Sequence, residues 1–252
     1  VISVILGTKC FMIRRKKKMK WNKQFDYPAS SRSLIQGSRH YDVGQEKLPS
    51  VTTILAATQP PEKRKALEDW KARVGEEQAT RTKDQAATRG TAMHNILEGY
   101  LLGQNHLDLT DVGKNAHTMA EQIIKNGLTG SLSEIWGSEV TVHYPGLYAG
   151  ATDVVGVYEG HQSIVDFKQT NKPKKREWIG DYFLQLGAYA MAHNYVYGTN
   201  ITQGVILMCS RDNYFQRFTI DGQEFINNQH DFLKRVDEYY EERKRANEAQ
   251  PS

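Results

Sequence analysis

The residues with the clearest chemical potential lie in one short stretch, Asp166-Phe167-Lys168. In an extended strand alternate side chains share a face, so Asp166 and Lys168 project together and Phe167 points away. Apolar Ile164 and Val165 come just before, one for each face, which argues for a strand buried on both sides. A carboxylate and an ammonium placed there cost desolvation free energy unless they pair or bind something. Asp153 stands in the preceding β-rich run, between Gly150 and Gly156. The turn signal Glu159-Gly160 makes the two runs antiparallel neighbours, so two acids converge with a lysine between them. Hard oxygen ligands of this kind suit Mg²⁺ or Mn²⁺, which keep several waters and take one or two carboxylates beside a substrate phosphate. An isolated Asp-x-Lys is more often an ordinary structural pair; the buried flanks favour the site. On the segment that follows, Gln185 and Tyr189 are one helical turn apart, with Gly187 and Ala188 small enough for close packing on the sheet.

The elements that must hold these groups can be read from periodicity. Residues 19–47 are polar and turn-rich and read as an irregular arm with a short hairpin. From Pro61 helical spacing sets in through Ala66, Leu67, Trp70 and Val74, with a break at Gly75. Met93, Ile96, Leu97, Tyr100 and Leu101 form a clearer apolar stripe that ends at Gly103. Ala116, Met119, Ala120, Ile123 and Ile124 form a third, which stops at Gly127. Three β-rich runs then fill 134–170, with a turn at Pro145-Gly146. The spacing predicts a long helix from Trp178 to Tyr197, two strands joined at Arg211-Asp212-Asn213, and a final helix from Gly222. The order is helices, then β-β-β-α-β-β-α, an α/β arrangement.

Composition narrows the class. The chain has 252 residues, 39% hydrophobic and 25% charged, an ordinary globular mixture. No apolar run approaches the ~20 residues that cross a bilayer, so no membrane association is expected. The net charge of +4 is misleading. Residues 1–18 hold six basic residues and no acid, which leaves the body of the chain mildly acidic. Polyanion binding by that body must rest on local charge. Residues 1–18 read as a non-native or disordered basic tail, with the folded protein starting near Met19; a basic nucleic-acid arm is the alternative. The two cysteines, Cys10 and Cys209, cannot supply a four-cysteine iron–sulfur cluster. No phosphate-binding G-x-x-x-x-G-K-[ST] is present, so no nucleotide cofactor is expected.

Gly150-Ala-Thr-Asp153, Asp166-Phe-Lys168 and Gln185-Leu-Gly-Ala-Tyr189, in that order, resemble the PD-(D/E)XK nuclease superfamily in its RecB-like branch. RecB-like members carry a helix-borne histidine upstream, and Arg89-Gly-Thr-Ala-Met-His94 fits that place. Leu48-Pro-Ser-Val-Thr-Thr-Ile-Leu55 and Trp70 extend the likeness to the mitochondrial genome maintenance exonucleases and their phage-encoded single-domain relatives. Each motif alone is weak; the ordered set is specific, and it spans Leu48 to the C-terminus.

The resemblance implies a restriction-endonuclease-like core, a mixed central sheet flanked by helices, with a helical N-terminal portion. A single nuclease domain over 19–252 would comprise a helical part (48–130) and a catalytic core (131–252). By resemblance, His94, Asp153, Asp166 and the main-chain carbonyl of Phe167 hold Mg²⁺ or Mn²⁺. Lys168 orients or helps deprotonate the attacking water, and Gln185 and Tyr189 position water or the scissile phosphate. Competing influences on the Lys168 pKa leave its direction open.

Around this centre Ser50 and Thr52 are candidates for phosphate contacts, although capping explains them nearly as well. Lys172 and Lys174, in the run that leaves the catalytic strand, and Arg89, one helical turn before His94, are candidates for the nucleic-acid backbone. Trp178 is a candidate for base stacking. The expected activity is metal-dependent exonucleolytic hydrolysis of single-stranded DNA, leaving 5′-phosphates. The helical part would cover the site so that a free end threads beneath it. Alternatives are a catalytically inactive nucleic-acid-binding module, a RecB-like endonuclease and a duplex-end exonuclease. Unwinding would come from a helicase or polymerase partner. The expected setting is the cytoplasm of a phage-infected bacterium, with a mitochondrion as the alternative.

Overall fold

β-Branched and aromatic residues dominate 132–170, and they build the centre of the molecule. The computed structural model describes residues 19–104 and 110–248; the expectations for residues 1–18 lie outside them. Long strands β5 (Leu132–Tyr144), β6 (Tyr148–Tyr158) and β7 (His161–Thr170) form an antiparallel meander. Helix α5 (Gly180–Tyr197) then crosses over to β8 (Gln203–Ser210), which pairs parallel with β7, and β9 (Phe215–Ile220) returns antiparallel. The two-residue strand β1 (Lys20–Trp21) pairs parallel with β5 and completes a six-stranded mixed sheet ordered β1-β5-β6-β7-β8-β9.

The arm over 19–47 is more regular than its composition suggests. β2 (Ser30–Ile35), β3 (Ser38–Val43) and β4 (Glu46–Pro49) make a separate three-stranded antiparallel sheet. The turns provide the order. Gln36 and Gly37 both have positive φ, as a tight hairpin turn demands, and Gly44 does the same for the second hairpin. The side chains are mostly polar because one face meets solvent, so no apolar alternation betrays the strands.

The helices sort onto the two faces of the large sheet. α1 (Val51–Ala57), α5 and α6 (Gly222–Glu248) cover one face, with Ile54, Leu186, Phe225 and Phe232 buried against Val155, Ile164 and Ile206. α3 (Glu76–Leu101) and α4 (Asp111–Ile123) cover the other, with Met93, Leu97, Met119 and Ile123 buried against Val154, Val165 and Leu207. Burying each such side chain contributes about 1.5–3 kcal/mol. α2 (Pro61–Val74) departs from expectation, since its supposed core stripe contains no buried residue and Leu67 is exposed. It breaks at Gly75, where φ is +85°.

The small residues of α5 act differently from the sequence expectation. A Cβ on Gly187 would lie 3.2 Å from the main-chain nitrogen of Gln229, so this glycine brings α5 against α6 and not against the sheet. Room on the sheet side comes from Gly204 of β8, where a Cβ would lie 2.9 Å from Leu186.

Candidate active site

β6 and β7 are paired from Tyr158↔His161 only as far as Val154↔Val165. Beyond that point β6 continues beside β5 and β7 beside β8, so the sheet opens between them. Asp153 and Asp166 are the first residues past the divergence. The parting strands leave the Phe167 N–H without a ladder partner, and the Asp153 carboxylate accepts from it at 2.6 Å. On Asp166 and Lys168 the period-two reading holds: Lys168 Nζ lies 2.5 Å from Asp166 Oδ2 and 5.0 Å from the centre of the Tyr182 ring on α5. Apart from that ion pair, Asp166 Oδ2 is buried and accepts no hydrogen bond among the described residues. Phe167 packs its ring into the opposite core.

His94 arrives from the other face. α3 runs along β7 and is laced to it: Gln169 donates to the Ala86 carbonyl at 2.8 Å, and Arg89 donates through Nε to Gln169 at 2.9 Å and through Nη2 to Asn171. Farther along the helix His94 Nε2 is 3.0 Å from the Phe167 carbonyl. Its Nδ1 is 3.5 Å from Asp153 Oδ1 and 3.6 Å from Glu139 Oε1. The three side chains His94, Glu139 and Asp153 each offer a ligand atom within 4.8 Å of the others. One imidazole nitrogen and two carboxylate oxygens are donors of the kind that Mn²⁺ or Mg²⁺ takes. Asp166, expected in the same ligand set, lies at the same opening and is paired with Lys168.

Helix α5 closes the site. Gln185 donates to the Tyr189 hydroxyl at 2.9 Å, and the Tyr189 ring occupies the space over Gly150, where a Cβ would be 2.6 Å from the ring. The glycine three residues before Asp153 is therefore the seat of this tyrosine.

The electrostatics follow from burial of several charges together. Desolvation is the largest influence on His94 and pushes its pKa down, but Asp153, Glu139 and Asp166 together raise it to about 9. Burial, then the charge of Asp166, pushes Asp153 up to about 7 against the pull of His94 and Lys168. For Lys168 the largest single influence is again desolvation, which lowers its pKa, yet Asp166 and Asp153 outweigh it and hold the ammonium above its ordinary value. Burial raises the Tyr189 phenol far enough to keep it neutral.

The other residues singled out in the sequence lie around this cleft in different states. Ser50 is the N-cap of α1, accepting from Thr53 N at 2.9 Å, and it bridges to Ala149 beside Gly150. Thr52 Oγ1 is 3.0 Å from the Ser50 hydroxyl. Arg89 does not present a free guanidinium: it is 7% exposed and serves as the bolt between α3 and the end of β7. Lys172 is exposed, whereas Lys174 exchanges main-chain hydrogen bonds with the Gln216 side chain. Trp178 is 57% exposed, with Lys175 Nζ over its ring. Arg176 is tied to Glu224 at the start of α6, and Phe183 is core.

The sequence reading missed Glu139 and Arg32. Both line a cleft of about 340 Å³ with Gly90, Thr91, His94, Asn95 and Glu98. Glu139 lies on β5 after bulged register shifts, which sequence alternation cannot reveal. Arg32 lies in the arm that was read as irregular.

No protein-family model matches the chain. It is similar to mitochondrial genome maintenance exonuclease 1 of Mus musculus, 29% identical over 219 residues that cover 82% of this chain and 63% of the relative. The protein of that name from Xenopus tropicalis is 31% identical over 178 residues, 66% of this chain and 49% of the relative. The chain thus spans less than two thirds of the length of the curated relatives it matches. A solved structure of a candidate exonuclease from Eubacterium rectale overlaps 60% of this chain and 63% of its own at 14% identity, with a TM-score of 0.43. That overlap is too loose to define the site, which rests on the geometry above. The chain is accordingly similar in sequence to the mitochondrial genome maintenance exonucleases over most of its own length, and its fold is a mixed central sheet flanked by helices.

Proposed function

We propose that this chain is a divalent-metal-dependent deoxyribonuclease of the RecB-like type that removes nucleotides from the ends of single-stranded DNA. One observation carries the reading: the divergence of β6 and β7 gathers Asp153, Asp166, Lys168, the Phe167 main chain and His94 at a single opening in the sheet. His94, Asp153, Asp166 and the Phe167 carbonyl are the donors that would hold Mg²⁺ or Mn²⁺. Bound there, such a cation supplies an acidified water and neutralises charge on the phosphate.

The chain's own residues do the rest. Lys168, fixed between Asp166 and the Tyr182 ring, is kept charged, so it acts as a hydrogen-bond donor to the phosphate oxygens as negative charge develops. Gln185 and Tyr189 form a neutral polar ledge beside Gly150 and orient the phosphate without repelling it. Lys172, Lys174 and Trp178 leave the site in sequence order and suit the backbone and a base of a departing strand. Duplex substrates would need a helicase or polymerase partner to expose single strands. The relatives' name supports a mitochondrial setting over the bacterial cytoplasm.

A free end would pass between α3 and the three-stranded arm. End-labelled linear and circular single strands, each with Mg²⁺, Mn²⁺ or EDTA, test this. Degradation of the linear strand with a resistant circle is expected, only with metal and with 5′-phosphate products. Rapid cutting of the circle would make the protein an endonuclease, and DNA binding without cleavage in any metal would make it an inactive binding module.

A further inference from the structure

The interior of β5 contains a residue that local physics disfavours. Glu139 has φ +53°. The other described non-glycine residues with positive φ are Gln36, Glu159 and Asn213, and all three belong to turns, where that conformation is ordinary. A left-handed glutamate inside a strand is strained by an amount of chain energy that the surroundings must supply. Its placement adds a second penalty. Ser138 pairs with Val154 and Val140 with Thr152, which sets Glu139 level with Asp153 on the neighbouring strand and brings two carboxylates close together. The compensation within the described residues is small. Asp166 has Lys168, but Glu139 has only the His94 ring at 3.6 Å, which it shares with Asp153 at 3.5 Å.

We infer that Glu139 is a cation ligand, so that the site holds its divalent ion with carboxylates from both β5 and β6 and with His94, a donor outside the G-x-x-D and D-x-K motifs. A cation held between the two carboxylates and His94 would convert their repulsion into shared attraction. Glu139 reaches His94 and Asp153 from this position. This inference rests on the reading of the cleft as a divalent-cation site.

The test is Mn²⁺ binding to the full chain without DNA, by titration calorimetry and by the Mn²⁺-induced rise in melting temperature. Glu139→Gly accepts the left-handed backbone and Glu139→Gln keeps the side chain's shape. Both should fold, with the metal-free melting temperature of Glu139→Gly equal to or above that of the unmodified chain. Both should bind Mn²⁺ roughly tenfold or more weakly. Glu98→Gln, which lines the same cleft outside the three-residue cluster, should bind Mn²⁺ normally. If the unmodified chain binds Mn²⁺ and both Glu139 variants match it within about threefold, Glu139 is not a ligand and the metal reading stands. If the unmodified chain binds no Mn²⁺, the metal reading fails and this inference with it.

Discussion

Two histidines, His94 and His193, report on opposite environments in this molecule. His193 is buried on α5 among Phe25, Tyr27, Trp136 and Tyr197, with ring centroids 4.6–6.1 Å away. Its two nitrogens are matched one to one, Nε2 with the Tyr27 hydroxyl at 3.0 Å and Nδ1 with Thr199 at 2.8 Å. No carboxylate pairs with it among the described residues, and burial drives its pKa down to about 4. His94 feels the same desolvation but faces Asp153 and Glu139 and ends near 9. The lesson is that burial by itself makes a histidine neutral and structural. A half-buried histidine whose pKa neighbouring carboxylates raise marks a place where negative charge is concentrated. The aromatic box is a closed account; the cleft is not.

Breaking the cleft should cost chemistry, whereas breaking the box should cost only stability. The largest effect is expected for Asp166→Asn and Lys168→Ala, each lowering the cleavage rate of end-labelled single strands by about 10³-fold or more. DNA binding measured in Ca²⁺ should stay within a few-fold, and His193→Gln should cleave normally. Retained digestion by Asp166→Asn would remove the site from consideration.

Next is Gly150→Ala, whose Cβ would collide with the Tyr189 ring at 2.6 Å. Overpacking of that kind costs about 1–3 kcal/mol, so urea unfolding should show a lower midpoint together with slower cleavage. Normal stability and activity would mean that Tyr189 has another seat.

The pH dependence of stability should have opposite signs at the two histidines. For His193 the folded pKa lies below the unfolded value of about 6.5, so its contribution is complete above that pH and is lost as pH falls towards 4. The loss is about 2–3 kcal/mol, and His193→Gln should flatten it in urea titrations at pH 7 and pH 4.5. For His94 the folded pKa is raised, so its contribution is complete below about 6.5 and is lost as pH rises through about 9. Asp153, pushed up to about 7, adds a loss in the same direction between about 4 and 7. In EDTA the melting temperature should therefore fall from pH 7 to pH 9.5, and His94→Gln should reduce that fall. The smallest effect is expected for Lys172→Ala: a few-fold weaker DNA binding and a salt slope shallower by about one.

How much of this was legible in advance varies with the range of the interaction. The meander, the crossover helix and the three C-terminal elements are readable because turn residues and periodicity are local. Asp166 and Lys168 were readable as one facing pair for the same reason. The arm's three strands were hidden by a polar composition that left only turn glycines as a signal. Arg89 looked like a phosphate contact because nothing local shows that Gln169 and Asn171 consume its donors.

The sequence by itself determined which residue types stand in which order on which kind of element, since those follow from short-range sterics and alternation. Tertiary structure alone decided that β6 and β7 part at Asp153, that α3 lays His94 across the gap, and that a bulged β5 turns Glu139 to face them. Those outcomes depend on strand register and helix seating, which are set by packing across the whole sheet.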